Sequence, residues 1–584
     1  MSRSLKYCFI SIFILVFSSS SFSQYNGVLN SDEIKEVTNS VIDKIIRDTN
    51  FEFSFRLLNN TNSYQILDFS DFSHKEIQYS YSQIESANNE SIHFSLSSNS
   101  PISIWINKEL VFRQLEFKEF IFKEIAYDIY KSDTVISVLL NKGVNDILVR
   151  HEHINDAKFG IVATHKNGFL NDDVHFSLNL FNLEFETPWI TIGPFSQENL
   201  PTPSVENGIL PFYSVEDGFL SWKTFPQKLT IRVKPPDNAS FTKHPYNEWH
   251  YSTGATLWSV LNFARFTQMP DYTGFVEKYC DFTIENLPVF EYQFHELYDI
   301  HGFNNRIFRM AMLDDAPAPA LPFISLLNEN KLPEAEDLIH KIADYVLNGQ
   351  SRLPSGILCR PEPWEKTVWA DDLFMSAPFF MMYGELTGDE KYIDEAANQI
   401  LLFYELLMDK KTGLCHHGYC HSNPSNVMPF WSRANGWLIW GVSEVLKDLP
   451  VDHSDYKPIL RYYKKHISAL LKHQNSNGFL HQIIDDSETF EETSSTALLS
   501  LAMSRGINMG WLDKTYIETA EITWGAVASK IANDGTVTGI CQGTSMSTDP
   551  DFYKKRNTPD HDPRGLGAVI NAGMEILQLI ENKN

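Results

Sequence analysis

The sequence predicts a two-part chain: an N-terminal antiparallel β-sandwich followed by an α/α toroid of paired helices. Three observations predict it. Between 51 and 233, apolar and polar residues tend to alternate in short runs, the period of a half-buried strand. Beyond Lys243 the period becomes that of helices. The helical stretches pair through short polar turns, and about 340 residues over twelve helices is roughly 28 each, the arithmetic of a helical-hairpin repeat. So regular a repeat favours a ring closed on itself, with an open helical solenoid as the alternative.

The first element is a helix over 31–48. Strands follow at 51–55, 92–96, 102–106, 134–140 and 144–151, with Asn141-Lys142-Gly143 as the turn between the last two. Further strands are expected at 159–164, 174–180, 189–194 and 229–233. Many short strands with turn residues between them favour a sandwich. Pro235-Pro236-Asp237-Asn238 breaks the chain, so 24–235 forms the sandwich unit with its N-terminal helix and 236–584 the helical unit. Eleven helices are expected there, at 248–267, 272–286, 307–327, 333–347, 371–387, 390–408, 435–449, 456–473, 492–503, 513–531 and 564–580, with a twelfth short or hidden. Thr387-Gly388-Asp389-Glu390 is the clearest hairpin turn.

Length and composition narrow the partners. At roughly 150 residues per domain, 584 residues suggest about four units, although large barrels absorb more. Charged residues at 21% and aromatics at 13% exclude a disordered chain, a collagen or a simple coiled coil. With 48 Lys and Arg against 74 Asp and Glu, nucleic acid and anionic membrane surfaces are poor partners. Residues 1–23 read as an export signal: Arg3 and Lys6, an apolar run over 8–17, then Ser21-Phe22-Ser23 before Gln24. That run is about half a bilayer span, so export to the periplasm or beyond is expected, with an uncleaved anchor as the alternative. Cys280, Cys359, Cys415, Cys420 and Cys541 remain, an odd and sparse set that makes no disulfide framework.

Four clusters carry chemistry. Residues 361–372 bring Trp364, Lys366, Trp369, Asp371 and Asp372 to a helix start. Neighbouring residues on a helix point about 100° apart, so only one of the two aspartates faces a pocket; a cap or dipole partner is the plainer reading. Asp314 and Asp315, flanked by Leu313 and Ala316, suit a general acid of raised pKa or simple capping equally. Cys415, His416, His417, Cys420 and His421 invite a zinc reading, but the spacing is wrong for paired ligands, and a sugar contact fits better. Trp431-Ser432-Arg433-Ala434-Asn435-Gly436-Trp437 frames an Arg with indoles, a grip for a carboxylate or a surface cation–π pair.

KTVWADDLFMSAP (366–378), WSRANGW (431–437), ETSST (492–496), QGT (542–544) and DPRGLG (562–567) resemble glycoside hydrolase family 105, the unsaturated glucuronyl and galacturonyl hydrolases with a six-hairpin toroid. Trp249-His250-Tyr251 with Gly254, and LTGDEKY (386–392), extend the likeness over about 246–579. The resemblance implies Asp371 as catalytic acid and Asp314 as second carboxylate, with Asp315 a one-place alternative. It implies His417, Trp431, Arg433 and Trp437 as sugar contacts, and Trp369 and Lys366 join them from the first block. Tyr419 stands where the family more often has Trp.

The implied substrate is a lyase-generated oligosaccharide ending in a 4,5-unsaturated uronic acid, of ulvan or rhamnogalacturonan type. Protonation at C4 by Asp371 gives an oxocarbenium at C5, water adds there, and the hemiketal opens. No metal, cofactor or membrane anchor is expected. An Asp ordinarily titrates near 3.9, so the acid needs Trp walls and the like charge of Asp314 to outweigh its helix start. Two other readings stay open: a toroid polysaccharide lyase using Tyr419 and His417, and a non-catalytic carbohydrate-binding protein.

Overall fold

The computed structural model describes residues 30–57, 64–69, 76–125, 129–152, 157–177, 189–196, 212–215, 218–221, 223–224, 229–233, 246–300 and 302–583. The export signal expected over 1–23, the boundary expected at 235–238 and the end of the strand expected over 174–180 lie outside these residues.

Among the described residues, two antiparallel sheets form the body of the first part, with two-stranded ribbons beside them. Ile77–Ser86 and Gly143–Glu152 pair along their whole length at the centre of a seven-stranded sheet. The other sheet has four strands in the order Tyr64–Asp68, Lys158–Thr164, Glu90–Ser98, Thr134–Leu140. Strand alternation sends Ile84, Ile104, Ile147 and Val149 from the first and Leu67, Phe94, Leu96 and Phe159 from the second into one apolar cluster. The turn at Asn141-Lys142-Gly143 joins strands of opposite sheets, a corner between layers. Gly143 supplies its positive φ of 93°, and the Asn145 side chain bonds the carbonyls of Asn141 and Gly143 across it. A ribbon of Phe53–Leu57 paired with Leu229–Val233 leads out of this part, and Phe53, Ile231 and Val233 pack on Phe282, Phe290 and Phe303 of the helical part.

Among the described residues, twelve helices, with shorter helices in the connections between them, build the paired cycle of the second part. In chain order they are α1 (Ser31–Arg47), α2 (Tyr251–Thr267), α3 (Pro270–Glu285), α4 (Leu321–Asn328), α5 (Glu336–Asp344), α6 (Asp372–Thr387), α7 (Glu390–Leu407), α8 (Ser432–Asp448), α9 (Tyr456–Leu471), α10 (Thr493–Asn508), α11 (Ile517–Ala528) and α12 (Pro563–Lys583). Among the described residues α2, α4, α6, α8, α10 and α12 touch one another in turn, and α12 touches α2, so the cycle closes. Each has a second helix against it: α3, α5, α7, α9, α11 and, for α12, α1. Residues 432–446 of α8 and 493–507 of α10 are buried on every side, as befits helices enclosed by neighbours, whereas α5 and α9 bury one stripe.

Two expectations change here. The helix at 31–48, grouped with the strands by chain order, buries Ile34, Val41, Ile42 and Ile45 in the helical core. It is the twelfth helix. The single helix expected over 307–327 is broken: only Arg306–Arg309 and α4 are helical, and 310–320 turns between them. Pro317 and Pro319 fix φ and lack the N–H a continuing helix needs. Gly254 of α2 meets Ala318 and Pro319 so closely that a Cβ there would collide with their backbone, which seats this segment against the ring. Leu287–His295 is a further short helix that periodicity does not announce.

Ile42 is fully buried in the helical core. Ile42→Ala should lower the urea-unfolding free energy of the helical part, followed by tryptophan fluorescence, by about 2–5 kcal/mol. A loss below about 1 kcal/mol would mean that α1 is not part of that core.

Candidate active site

The starts of the inner helices bring the site together. Tyr251 opens α2, Asp371 is the N-cap of α6 and Arg433 is the second residue of α8. With Asp314, Arg360, Trp369, Met375, Trp431 and Thr544 these side chains line one narrow cavity. Trp369 ends a short strand, Thr367–Trp369, paired with Gly418–Cys420, and this ladder fixes the position of His417 beside it.

The aspartates divide their work by partner. Arg360 is 1% exposed and bonds Asp372 through Nε (3.2 and 3.0 Å) and Nη2 (2.6 Å), while the same Nη2 reaches Asp314 at 2.7 Å. Its guanidinium also lies 4.0 Å from the Trp369 ring centroid. Asp315 is held by Arg306 at 3.0 Å and Arg309 at 2.7 Å. Burial would raise its pKa, but the two guanidinium groups outweigh burial and keep the carboxyl below its ordinary value. Asp315 is therefore a structural ion pair, and Asp314 is the member of the doublet that lines the cavity.

Among the described residues, no Arg or Lys bonds Asp371. Its Oδ2 is sealed from solvent and faces His417 Nε2 at 3.5 Å. Burial pushes its carboxyl up to about 7, against the Arg360 charge, with Asp372 adding to the rise and Arg433 opposing it. The like charge expected from Asp314 comes instead from Asp372, whose own carboxyl burial raises despite its bonds to Arg360. Burial, with the charges of Arg360 and Arg433 acting in the same sense, holds His417 well below its ordinary value and neutral.

The other expected contacts fall in different places. Trp431 lies 4.5 Å from the His417 ring and under the Arg433 guanidinium at 4.7 Å. Arg433 donates to the carbonyls of Cys541 and Gln542, and the Glu492 and Asp562 carboxylates lie near enough to favour its charged form. Trp437, one turn further along α8, is packed on Phe374, Trp440 and Tyr251 and does not line the cavity. Lys366 is exposed on a positive-φ turn, also outside the lining. Tyr419 is outside it too; the tyrosine bonded to His417 is Tyr553, at 2.7 Å. His416 bonds the carbonyl of Met428, and among the described residues no three His, Cys, Asp or Glu side chains converge as a metal site. Arg360 and Tyr553 escaped the sequence reading, for neither stands in a patterned motif.

The model for Glycosyl Hydrolase Family 88 matches residues 228–580. The chain belongs to that family. An unsaturated rhamnogalacturonyl hydrolase of Bacillus subtilis is 27% identical to this family 88 chain over 222 residues, 37% of this chain and 62% of that protein. An unsaturated 3S-rhamnoglycuronyl hydrolase of Formosa agariphila is 29% identical over 225 residues, 36% of this chain and 58% of that one. The chain thus spans about three fifths of these relatives. The fold resembles that of a possible member of family 105 from Salmonella enterica (TM-score 0.51, 21% identity, 64% of this chain and 89% of that one). It also resembles a family 105 glycoside hydrolase of C. acetobutylicum (TM-score 0.50, 22% identity, 56% and 94%). At these identities the neighbours show a shared fold.

A buried Asp of raised pKa costs this family 88 protein stability. The folded state favours the neutral carboxyl, so the cost is absent below about pH 4, where folded and unfolded chains are both protonated. It grows through the interval from 3.8 to about 7 and is complete above it. At about 1.4 kcal/mol per pKa unit the full cost is about 4 kcal/mol. Asp371→Asn should melt higher than wild type at pH 8 and alike at pH 4; a pH-independent difference would contradict the assignment.

Proposed function

We propose that the protein is a hydrolase that removes the terminal 4,5-unsaturated uronic acid from lyase-generated oligosaccharides. The observation that carries this reading is a carboxyl at Asp371 that burial keeps protonated near neutral pH inside an aromatic cavity. A carboxyl with the ordinary pKa would be protonated in about one molecule in a thousand at pH 7; one that titrates near 7 is protonated in half.

The terminal ring holds an enol ether, C4=C5 conjugated with the carboxylate. Asp371 gives its proton to C4, and the positive charge that develops at C5 is shared with the ring oxygen. Water adds to C5, and the Asp371 carboxylate takes back a proton from it. The product hemiketal opens to a keto-uronate and releases the shortened saccharide. Arg433 supplies a guanidinium for the uronate carboxylate, and Trp431 and Trp369 supply rings for the sugar. Asp314, paired with Arg360 at 2.7 Å, is the second carboxyl of the cavity and lies where it can stabilise the oxocarbenium. Because the anomeric carbon is not attacked, the spacing rule for paired glycosidase carboxylates does not apply.

The closed cycle of six inner helices, each backed by another, supports reading the helical part as an (α/α)6 toroid, with the two-sheet part as an accessory sandwich. Neither a lyase nor a silent binding protein needs a protonated carboxyl in such a cavity. Export past the inner membrane suits an oligosaccharide substrate and remains part of the proposal. The named relatives are an unsaturated rhamnogalacturonyl hydrolase and an unsaturated 3S-rhamnoglycuronyl hydrolase, so rhamnogalacturonan- and ulvan-type oligosaccharides are the substrates to test first.

Loss of ultraviolet absorbance from lyase-treated ulvan or rhamnogalacturonan follows the reaction, because hydration removes the conjugated double bond. Wild type should consume it with an activity that falls as pH rises through about 7, since only the protonated acid donates. Asp371→Asn should lose at least about a hundredfold in kcat while staying folded. Near-wild-type turnover by this variant would refute the reading.

A further inference from the structure

Beside the cavity, the loop between α11 and α12 carries a tyrosine that the mechanism above does not use. Tyr553, on the short helix Pro550–Lys554, is fully buried. Its hydroxyl oxygen accepts the backbone N–H of Ser547 at 3.0 Å and lies 2.7 Å from His417 Nδ1. Burial raises its pKa, so the phenol keeps its proton. Among the described residues these two are its hydrogen-bonding partners, and an N–H group accepts nothing. A buried hydroxyl proton needs an acceptor, so it goes to His417 Nδ1.

The consequence runs on to Asp371. A neutral imidazole carries one proton, and with Nδ1 accepting, that proton is on Nε2. Nε2 and Asp371 Oδ2 are both buried, neither has a hydrogen-bond partner among the described residues, and they face each other at 3.5 Å. That is long for an unliganded site, of the kind that tightens when substrate closes it. The Asp371 side chain keeps 12% of its surface accessible while Oδ2 is sealed, so a proton bound for a sugar has to leave from Oδ1.

We propose that Tyr553 is a positioning residue: its hydroxyl fixes His417 in the Nε2–H tautomer, which occupies Asp371 Oδ2 and keeps the transferable proton on Oδ1. Without the hydroxyl, His417 is free to carry its proton on Nδ1 and turn a lone pair toward Oδ2. The Asp371 proton then moves to the sealed oxygen, facing Nε2 and away from the substrate. This role deepens the proposed reaction and rests on Asp371 as its acid.

Tyr553→Phe removes the hydroxyl and leaves the ring. Nitrogen-15 NMR of histidine-labelled protein, with the His417 signals assigned by their loss in His417→Gln, reads the tautomer without substrate. Wild type should give a neutral Nε2–H imidazole, and Tyr553→Phe a population of the Nδ1–H form. In turnover, Tyr553→Phe should lower kcat about tenfold, or about 1.4 kcal/mol, with KM within about twofold. Because the hydroxyl acts through His417, the double variant should be no slower than His417→Gln alone, to within about twofold. A purely structural Tyr553 would lower stability and multiply the His417→Gln defect, and that overturns the proposal. An active enzyme whose tautomer is unmoved in Tyr553→Phe overturns the positioning role alone. A tautomer that shifts in a protein inert toward unsaturated uronides overturns the assigned reaction and the role with it.

Discussion

Burial of Asp371 beside two other carboxylates and two guanidinium groups is the constraint on which the rest of the site depends. Arg360 is committed to Asp372 and Asp314, and Arg433 to two backbone carbonyls. Asp371 is left with a neutral imidazole. Taking a carboxylate out of water without a bonded cation is costly, so the group stays protonated to about pH 7. The shortage of positive charge that destabilises the fold is the property that makes an acid available to an enol ether.

The ring of helices delivers these groups because three of its members start at the cavity. Asp371, Arg433 and Tyr251 come from α6, α8 and α2, elements far apart in sequence, and each side chain is held by packed neighbours. Asp314 arrives differently, on the proline-rich turn that Gly254 admits against α2. Arg360 then ties that turn to the start of α6, so one buried guanidinium positions carboxylates from two segments. Removing it would strand two buried charges, a larger penalty than the pair's net worth.

Much of this was legible in the sequence. The strand and helix periods separated the two parts, the rule that neighbouring helical residues diverge allowed only one aspartate of the pair 371–372 to face a pocket, and the family resemblance chose between them: Asp371 lines the cavity and Asp372 turns to Arg360. The misses have physical causes. Ile77–Ser86 escaped as a strand because its buried faces carry Ser80, Ser82 and Gln78 as well as Tyr79 and Tyr81, which blurs the alternation. The N-terminal helix was grouped with its sequence neighbours, although its apolar stripe belongs to α12. Trp437 shares a face of α8 with Arg433, yet one helical turn separates the cavity from the layer beneath it. Arg360 stands in a loop and Tyr553 on a five-residue helix, both too short of pattern to mark what folding brings together.

Infrared difference spectroscopy of wild type against Asp371→Asn tests the central claim directly, because a protonated carboxyl and a carboxylate absorb at different frequencies. A protonated band assigned to Asp371 should be present at pH 6 and disappear with a midpoint near 7. A side chain already fully ionised at pH 5 would leave the site without its acid and contradict the account.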